Sequence, residues 1–190
     1  MNILITGSTG FLGKELVQFL SKQNNLNLFL LTTKKTSERI NNAEYIEFDF
    51  NKSSNYDFMR NIDIVIHLAA LQHQKDIRNI SDYIHINLNF TEKLLQQSIL
   101  NSVNKFIYLS TAQVHGEETQ KGMCVSEDSP IDPKTDYAKS KYMAENLIKE
   151  NLSKQNMSYT IIRSPLIYGK NVKGNLRMLE KLIFSKMPIP

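Results

Sequence analysis

The stretch MNILITGSTGFLGKEL, residues 1–16, decides the fold. It holds three of the chain's seven glycines, Gly7, Gly10 and Gly13. An apolar run of strand character precedes the first glycine, and apolar residues at helical spacing follow the last. Glycines at such a joint let backbone N–H groups approach a pyrophosphate, which the positive end of the helix dipole also attracts. We therefore expect Gly7 in a tight turn, Gly10 at the pyrophosphate and Gly13 where the helix packs closely.

Five further apolar runs follow and alternate with amphipathic segments. Most of these runs are near-continuous, which is typical of strands buried on both faces of a parallel sheet. The order β-α-β-β-β-α-β-α-β predicts an α/β fold, a Rossmann-type doubly wound parallel sheet with right-handed crossovers. The predicted strands are residues 2–6, 26–32, 45–50, 63–70, 105–111 and 159–164, and the predicted helices are 11–22, 83–100, 137–152 and 174–185, with a short helix within 53–60 and a surface loop over 116–134.

The composition is that of a soluble globular domain, with 190 residues, 41% of them hydrophobic and 22% charged. The net charge of +4 comes from scattered basic residues that form no basic, aromatic-interleaved face, which argues against a nucleic-acid partner. No apolar run is long enough to span a membrane and no cleavable leader is present, so we expect a cytoplasmic protein. The single cysteine, Cys124, lies in a polar stretch without the neighbours that a catalytic thiol needs.

The end of the second predicted strand, Thr32-Thr33-Lys34-Lys35, bears on the choice of cofactor. Rossmann folds that bind NAD place an acid about 20 residues after the glycine turn, on the ribose hydroxyls. Here no acid occurs before Glu38. Hydroxyl and ammonium groups suit a 2′-phosphate, so we expect NAD(P), with NADP slightly favoured and NAD left open.

Tyr137 and Lys141 form a Tyr-x-x-x-Lys pair that shares one face of a predicted helix. A phenol with a pKa of about 10 is a poor acid or base at neutral pH, and a neighbouring ammonium lowers that pKa. The pair thus suits a proton shuttle for a carbonyl/alcohol couple, although the spacing is also common on solvated helix faces. Ser110 and Thr111 end a predicted strand, where substrate-facing groups of parallel sheets collect.

These motifs together carry a family resemblance. TGSTGFLG, DIVIHLAA, YLSTAQVHG, YAKSK and IIRSPLIYG occur in the order and spacing of the extended short-chain dehydrogenase/reductase family, the NAD-dependent epimerases and dehydratases. The resemblance extends over essentially all 190 residues. Within the family, the chain most resembles the subgroup of UDP-glucose 4-epimerase-like proteins and UDP-4-keto-sugar reductases.

The resemblance implies roles for individual residues. Tyr137 matches the catalytic acid/base, Lys141 the residue that lowers its pKa and binds the nicotinamide ribose, and Thr111 the catalytic Ser/Thr. Asn87 matches an asparagine on the central helix that supports the active site. The cofactor-binding residues implied are Gly7, Thr9, Gly10, Phe11, Leu12, Asp49, Phe50, Leu68, Ala69, Ala70, Tyr137, Lys141 and Pro165.

Some of these residues allow plainer interpretations. Asp49 also fits a solvated carboxylate at a strand end, and Arg163 fits either a substrate phosphate or a structural ion pair. His67 lies in an apolar run and is interpreted as a packed core histidine. The four histidines share no ligand spacing, so no metal site is predicted.

The activity implied is that of an NAD(P)-dependent nucleotide-sugar epimerase of the UDP-hexose type, with hydride transfer at sugar C4. The alternative is an NADPH-dependent UDP-4-keto-6-deoxy-sugar reductase. The dehydratase branch carries Asp-Glu after the catalytic Thr, where this chain has Ala112-Gln113. That difference argues against 4,6-dehydration.

The resemblance also implies a domain organisation. Residues 1–170 match the NAD(P)-binding Rossmann domain, and 171–190 match only the start of a substrate-binding region, which is largely absent. A non-catalytic dinucleotide-binding fragment or regulator is therefore a further alternative. The resemblance also implies a homodimer with a four-helix interface formed by 83–100 and 137–152, although the apolar faces of these helices fit packing on the sheet equally well.

Overall fold

One sheet of six parallel strands organises the protein. The structure is a computed structural model that describes residues 1–33, 39–52, 55–72, 79–118, 124–169, 177–178 and 183–184. The strands are β1 (Asn2–Thr6), β2 (Asn27–Thr32), β3 (Ala43–Glu47), β4 (Ile64–His67), β5 (Lys105–Thr111) and β6 (Ser158–Ser164). Their spatial order is β3-β2-β1-β4-β5-β6. This order confirms the predicted Rossmann-type fold and puts its topological switch point between β1 and β4, where ligands of such sheets bind.

Helices connect the strands in the predicted sequence. They are α1 (Phe11–Leu20), α2 (Ile80–Tyr83), α3 (Phe90–Leu100) and α4 (Asp136–Leu152), with a π-helical segment, Ile84–Asn89, that joins α2 to α3. Two 3₁₀ turns lie at Asp57–Met59 and Ala112–His115. The predicted helix over 174–185 lies outside the described residues except for four of them. The predicted division into 1–170 and 171–190 stays a prediction.

The central strand β1 explains why its sequence is continuously apolar. Ile3 and Ile5 belong to a core on one face of the sheet, which they share with Val17 of α1. Leu4 points to the other face and packs in the larger core, which includes Leu94 of α3. Because successive strand residues alternate between faces, a strand covered on both sides needs apolar residues at every position.

Two strands differ from the prediction: the fourth, expected over 63–70, ends at His67, and the third is shifted along the chain. The expected strand 45–50 is displaced, and β3 ends at Glu47. Phe48 still donates its backbone N–H to the Thr32 carbonyl at 2.8 Å, but the chain then leaves the sheet. Phe48 and Phe50 turn inward and pack against the Phe90 ring of α3. The alternation of Ile46, Phe48 and Phe50 therefore reflects burial under a helix rather than continued pairing.

Candidate active site

The glycine turn lies directly after β1, at the switch point of the sheet. Gly7 has φ +70°, a conformation that only glycine adopts at low cost. A Cβ at Gly7 would lie 2.7 Å from the backbone nitrogen of Ala69, in the segment that follows β4. Backbone strain and close approach both require glycine here, so the turn sits tightly between the ends of β1 and β4.

Gly10 and Gly13 have different surroundings. A Cβ at Gly13 would lie 2.1 Å from the carbonyl oxygen of Gly7, so the first turn of α1 packs directly on the glycine turn. A Cβ at Gly10 would meet only that same oxygen, at 3.1 Å, and the rest of the space around it is open. Backbone atoms at Gly10 are thus accessible to a ligand, and those at Gly13 are not.

The N-terminus of α1 faces the open space beside Gly10, and no side chain caps it. Gly10 is the N-cap residue and supplies no side chain, and the first turn holds no acidic residue. The first N–H groups of a helix have no intrahelical partner, and they carry the positive end of the helix dipole. The turn therefore offers N–H donors and partial positive charge to an anion.

The segment after β4 forms the second wall of the site and is held at both ends. Ala69 donates its N–H to Thr6 Oγ1 at 3.2 Å. Leu71 donates its N–H to Asn87 Oδ1 at 2.7 Å, and Asn87 Nδ2 donates back to the Leu71 carbonyl at 3.1 Å. Asn87 thus fixes Leu71, the residue that directly follows the predicted cofactor-facing residues Leu68, Ala69 and Ala70.

A buried chain of hydrogen bonds, from Thr6 through His67, Thr91 and Asn87 to Ser140, links the glycine turn to α4. Thr91 donates its single hydroxyl proton to the Asn87 carbonyl, so it accepts from His67 Nε2, and His67 Nδ1 then accepts from Thr6. Burial, with a smaller contribution from the Lys141 ammonium, lowers the pKa of His67 to about 3. The ring is neutral, and it is a core residue as expected, but both its nitrogens are hydrogen-bonded.

The far end of this chain reaches the helix that carries the Tyr-Lys pair. Asn87 Nδ2 donates to Ser140 Oγ at 3.0 Å, and Ser140 donates to the backbone carbonyl of Tyr137 at 2.8 Å. Asn87 lies in the π-helical segment, a feature that occurs frequently at functional sites. The position of Tyr137 is therefore set partly by residues of the cofactor wall.

Tyr137 lies in the first turn of α4, which Thr135 caps by accepting the N–H of Ala138 at 3.1 Å. Its ring is half-buried and lies 6.2 Å from that of Tyr83. Burial, and secondarily Tyr83, raise the pKa of the Tyr137 phenol above its usual 10. The expectation that Lys141 lowers this pKa is not met in the structure, where desolvation dominates.

Lys141 is 1% exposed, although it is a lysine. Its Nζ lies 4.0 Å from the centroid of the Tyr108 ring of β5, a cation–π contact. Burial lowers the pKa of Lys141 to about 7, and the carboxylate of Glu145 raises it in part. Lys141 therefore changes charge near neutral pH rather than acting as a permanent cation.

Burial of the Lys141 ammonium lowers the stability of the protein, and a variant that lacks this charge tests that cost. Between its folded pKa of about 7 and the unfolded value of 10.5, the unfolded state binds more protons, so this group weakens the fold as pH falls towards 7. We expect Lys141→Met to raise the free energy of unfolding at pH 6 by on the order of 2 kcal/mol. In urea unfolding, the gain should shrink as pH approaches 10.5.

The matched control is Lys139→Met on the same helix, where the lysine is exposed and pairs with Asp136 at 3.7 Å. We expect its unfolding free energy to stay within about 0.5 kcal/mol of wild type. A Lys141→Met protein less stable than wild type at pH 6 would show that the contacts of the ammonium outweigh its desolvation.

Ser110 and Thr111, the two hydroxyl candidates at the end of β5, have separate surroundings. Ser110 donates to Glu145 Oε1 at 2.5 Å, on the side of α4. Thr111 is 9% exposed, and its Oγ1 accepts the N–H of Gln113 at 3.3 Å, which caps the next turn. Ser110 is thus occupied inside the protein, and Thr111 is the hydroxyl available at the sheet edge.

Arg163 forms a structural ion pair, as one of its two interpretations predicts. Its guanidinium binds the carboxylate of Glu145, with the shortest contact 2.7 Å from Nη2 to Oε2. Glu145 is fully buried, and the sequence analysis did not identify it. Its position four residues after Lys141, on the same helix face, is the signal that could have found it.

The remaining predicted cofactor-binding residues lie at the periphery of the candidate site. Asp49 is half-buried and accepts the N–H of Asn51 at 2.9 Å, while Phe50 lies under the Lys93 ammonium at 4.9 Å. Gly169, in the segment after Pro165, lies against the Phe11 ring, so this segment returns to the glycine turn. Thr9 and Pro165 are exposed, and Leu12 is half-buried. Lys34 and Lys35 lie outside the described residues.

Two further observations concern the described ranges alone. They contain no group of three or more His, Cys, Asp or Glu side chains placed to hold a metal ion. Within the same ranges, no helix has the length and apolar character required to cross a bilayer. Cys124 is exposed and is a free thiol.

Known proteins resemble the chain over almost its whole length. The model of the NAD dependent epimerase/dehydratase family matches residues 3–186. A UDP-glucose 4-epimerase of Vibrio cholerae is 30% identical over 196 residues, which cover all of this chain and 58% of that protein. An N-acetyl-alpha-D-glucosaminyl-diphospho-ditrans,octacis-undecaprenol 4-epimerase of Escherichia coli O157:H7 is 29% identical, covering 96% of this chain and 54% of that protein.

A solved structure supports the same relationship. The UDP-glucuronic acid 4-epimerase from Bacillus cereus in complex with NAD superposes with a TM-score of 0.83 at 25% identity, covering 99% of this chain and 65% of that one. The chain therefore spans less than two thirds of the length of each of these three proteins. The family match and the shared fold lead to one conclusion: the chain belongs to the NAD dependent epimerase/dehydratase family.

Proposed function

We propose that the protein is an NAD(P)-dependent UDP-hexose 4-epimerase in which Tyr137, Lys141 and Thr111 are the catalytic residues. One observation carries the proposal. Tyr137 and Lys141 lie in the first two turns of α4, and a continuous hydrogen-bond chain joins the backbone of Tyr137 to Thr6, the residue that precedes the glycine turn. The 4-epimerases among the relatives support this choice of reaction.

The residues present fit a dinucleotide. The open space at Gly10 and the uncapped start of α1 suit a pyrophosphate, and the φ of Gly7 brings the turn close to the wall after β4. Tyr137 and Lys141 would hold the nicotinamide ribose. The remaining proposed binding residues are Gly7, Thr9, Gly10, Phe11, Leu12, Asp49, Phe50, Leu68, Ala69, Ala70 and Pro165.

When bound, the cofactor supplies a hydride acceptor and donor at nicotinamide C4. The residues of the chain move and hold the proton. The Tyr137 phenolate oxygen would accept the proton of the sugar 4-hydroxyl when that carbon is oxidised, and the resulting phenol would return the proton after the 4-keto sugar has rotated in the site. Thr111 Oγ1 holds the same sugar oxygen, and the Lys141 ammonium favours the Tyr137 phenolate once a ligand draws it away from the Tyr108 ring.

For the cofactor itself, we propose a slight preference for NADP over NAD. The support is the absence of a carboxylate from Thr32 to Lys35, together with the exposed hydroxyl of Thr33 at the end of β2. The solved relative named above holds NAD. We also propose the homodimer through the two long helices, which expose Leu100 and Met143.

One experiment tests the function and the cofactor together. The purified chain is titrated with NADPH and NADH by calorimetry and is then incubated with UDP-glucose and the tighter-binding cofactor in its oxidised form. We expect binding of both cofactors and the appearance of UDP-galactose by NMR, with no net change in absorbance at 340 nm.

Each other outcome of this experiment would refute one part of the proposal. Net oxidation of NADPH with a keto sugar would assign the protein to the reductases. Clearly tighter binding of NADH would refute the NADP preference. Binding without turnover would leave a dinucleotide-binding protein, and a folded chain that binds neither cofactor would refute the site itself.

A further inference from the structure

Glu145 is a fully buried carboxylate with a complete set of donors. Ser110 Oγ donates to Oε1 at 2.5 Å, and Arg163 donates from Nε and Nη2 to both carboxylate oxygens at 2.7 to 3.2 Å. Lys149 approaches from the surface at 3.8 Å. A bidentate guanidinium and a hydroxyl offset the desolvation of a buried carboxylate, so the burial of Glu145 is compensated by its partners.

Arg163 holds more than the carboxylate. Its Nη1 donates to His115 Nε2 at 3.0 Å and to the carbonyl oxygen of Glu127 at 3.1 Å. His115 Nδ1 lies 3.0 Å from the Ser129 carbonyl and donates to it, which leaves Nε2 free to accept from Arg163. The guanidinium therefore connects β6, α4 and the segment between β5 and α4 in one rigid arrangement.

This arrangement lies one helical turn from Lys141. Glu145 follows Lys141 by four residues, and both side chains are buried on the same face of α4. The other titratable groups that face Lys141 are Tyr108 on β5 and the neutral His67 on β4, while Tyr137, one turn before it on the same helix, lies against Tyr83 of α2. Within the described residues, Glu145 is the carboxylate that acts on this ammonium.

The same carboxylate holds the end of β5. Ser110 immediately precedes Thr111, and its backbone carbonyl accepts from Ser164 of β6 at 3.3 Å. With its hydroxyl bonded to Glu145, Ser110 is fixed on both the side-chain and the backbone side. These bonds fix the residue immediately before Thr111, which ends β5 in register with Ser164.

We propose, building on the function proposed above, that Glu145, held by Arg163, is a positioning residue that keeps Lys141 charged and Thr111 in place for the cofactor and the substrate. Glu145 touches neither ligand. It acts through Lys141, four residues before it on the helix, and through Ser110 on the strand.

The test follows the charge of Lys141 directly. The chain is labelled with ¹³Cε-lysine, Lys141 is assigned by its absence in Lys141→Met, and its signal is titrated by NMR in wild type, Glu145→Gln and Glu145→Asp. In wild type, burial lowers the pKa of Lys141 to about 7, and Glu145 raises it in part. We expect Glu145→Gln to move the midpoint down by about one pH unit or more, and Glu145→Asp, which keeps the charge, to move it far less.

Glu150→Gln is the matched control, because Glu150 is exposed on the same helix. It should leave the midpoint where it is in wild type. If Glu145→Gln fails to fold by circular dichroism, the double variant Glu145→Gln/Arg163→Gln removes both charges together and leaves no unpaired buried guanidinium. The double variant is expected to move the midpoint in the same downward direction.

A second readout separates this proposal from the function itself. NADH affinity at pH 7.5 should fall in Glu145→Gln and be retained in Glu150→Gln. A midpoint of Lys141 that is unchanged in Glu145→Gln overturns the positioning role, even if wild type binds NADH. Wild type that does not bind NADH, combined with the expected midpoint shift, overturns the proposed function and leaves the coupling between Glu145 and Lys141 in place.

Discussion

Tyr137→Phe is expected to lower kcat for UDP-sugar interconversion by about 10²- to 10⁴-fold, the usual contribution of a positioned acid/base. The ring keeps its place beside Tyr83, and the backbone carbonyl of residue 137 still accepts from Ser140, because neither contact uses the phenol oxygen. Only the proton-carrying group is lost. Thermal unfolding should therefore stay close to wild type, measured by circular dichroism.

The control for this variant is Tyr159→Phe, since Tyr159 is 41% exposed on the edge strand β6. It should leave kcat unchanged. A Tyr137→Phe protein that keeps more than a tenth of the wild-type kcat would remove Tyr137 from the mechanism. Thr111 or a bound water would then have to carry the proton.

Gly13→Ala should be among the most damaging substitutions for the fold. Its Cβ would lie 2.1 Å from the Gly7 carbonyl oxygen, and the clash is between a rigid Cβ and backbone. Alanine gains about 1 kcal/mol over glycine in helix propensity. The clash outweighs that gain, because no side-chain rotation relieves it, and we expect a net loss of about 3 kcal/mol in unfolding free energy, at the upper end of overpacking effects.

Gly10→Ala is the companion measurement in the same urea titration. Its Cβ would meet a single atom at 3.1 Å, and Gly10 has φ −73°, which alanine adopts readily. Its unfolding free energy should stay near that of wild type while its affinity for NADH falls, since the methyl group enters the space left for the pyrophosphate. Equal stability of Gly13→Ala and wild type would mean that α1 can move away from the turn.

The sequence correctly predicted the features that depend on residues close together in the chain. The glycine spacing sits between a continuous apolar run and a helical one, so β1, the turn and α1 follow from some twenty residues of sequence. The location of Tyr137 and Lys141 one turn apart on a helix also follows from their spacing. The doubly wound sheet follows from the alternation of elements and the right-handed crossover rule.

The features that the sequence analysis missed depend on contacts between distant segments. Glu145 looks like one more charge on a solvated helix, and its burial becomes evident only when Arg163 of β6 lies beside it. The pKa of Tyr137 was expected to fall because Lys141 is four residues away. In the fold, the ammonium lies over Tyr108 instead, and burial raises that pKa. The π-helical turn at Asn87 has no recognisable local signature.

The central position of β1 has a consequence for synthesis on the ribosome. Its register places Ile3 beside Ile64 of β4, and no partner on that side exists until β4 has been translated. At about 5–20 residues per second, the interval is about 3–12 s. Parallel pairing offers no local hairpin to fill the gap. During that time, the edge of β1 that later pairs with β4 is open, and an unpaired apolar strand edge is where a nascent chain is most prone to aggregate.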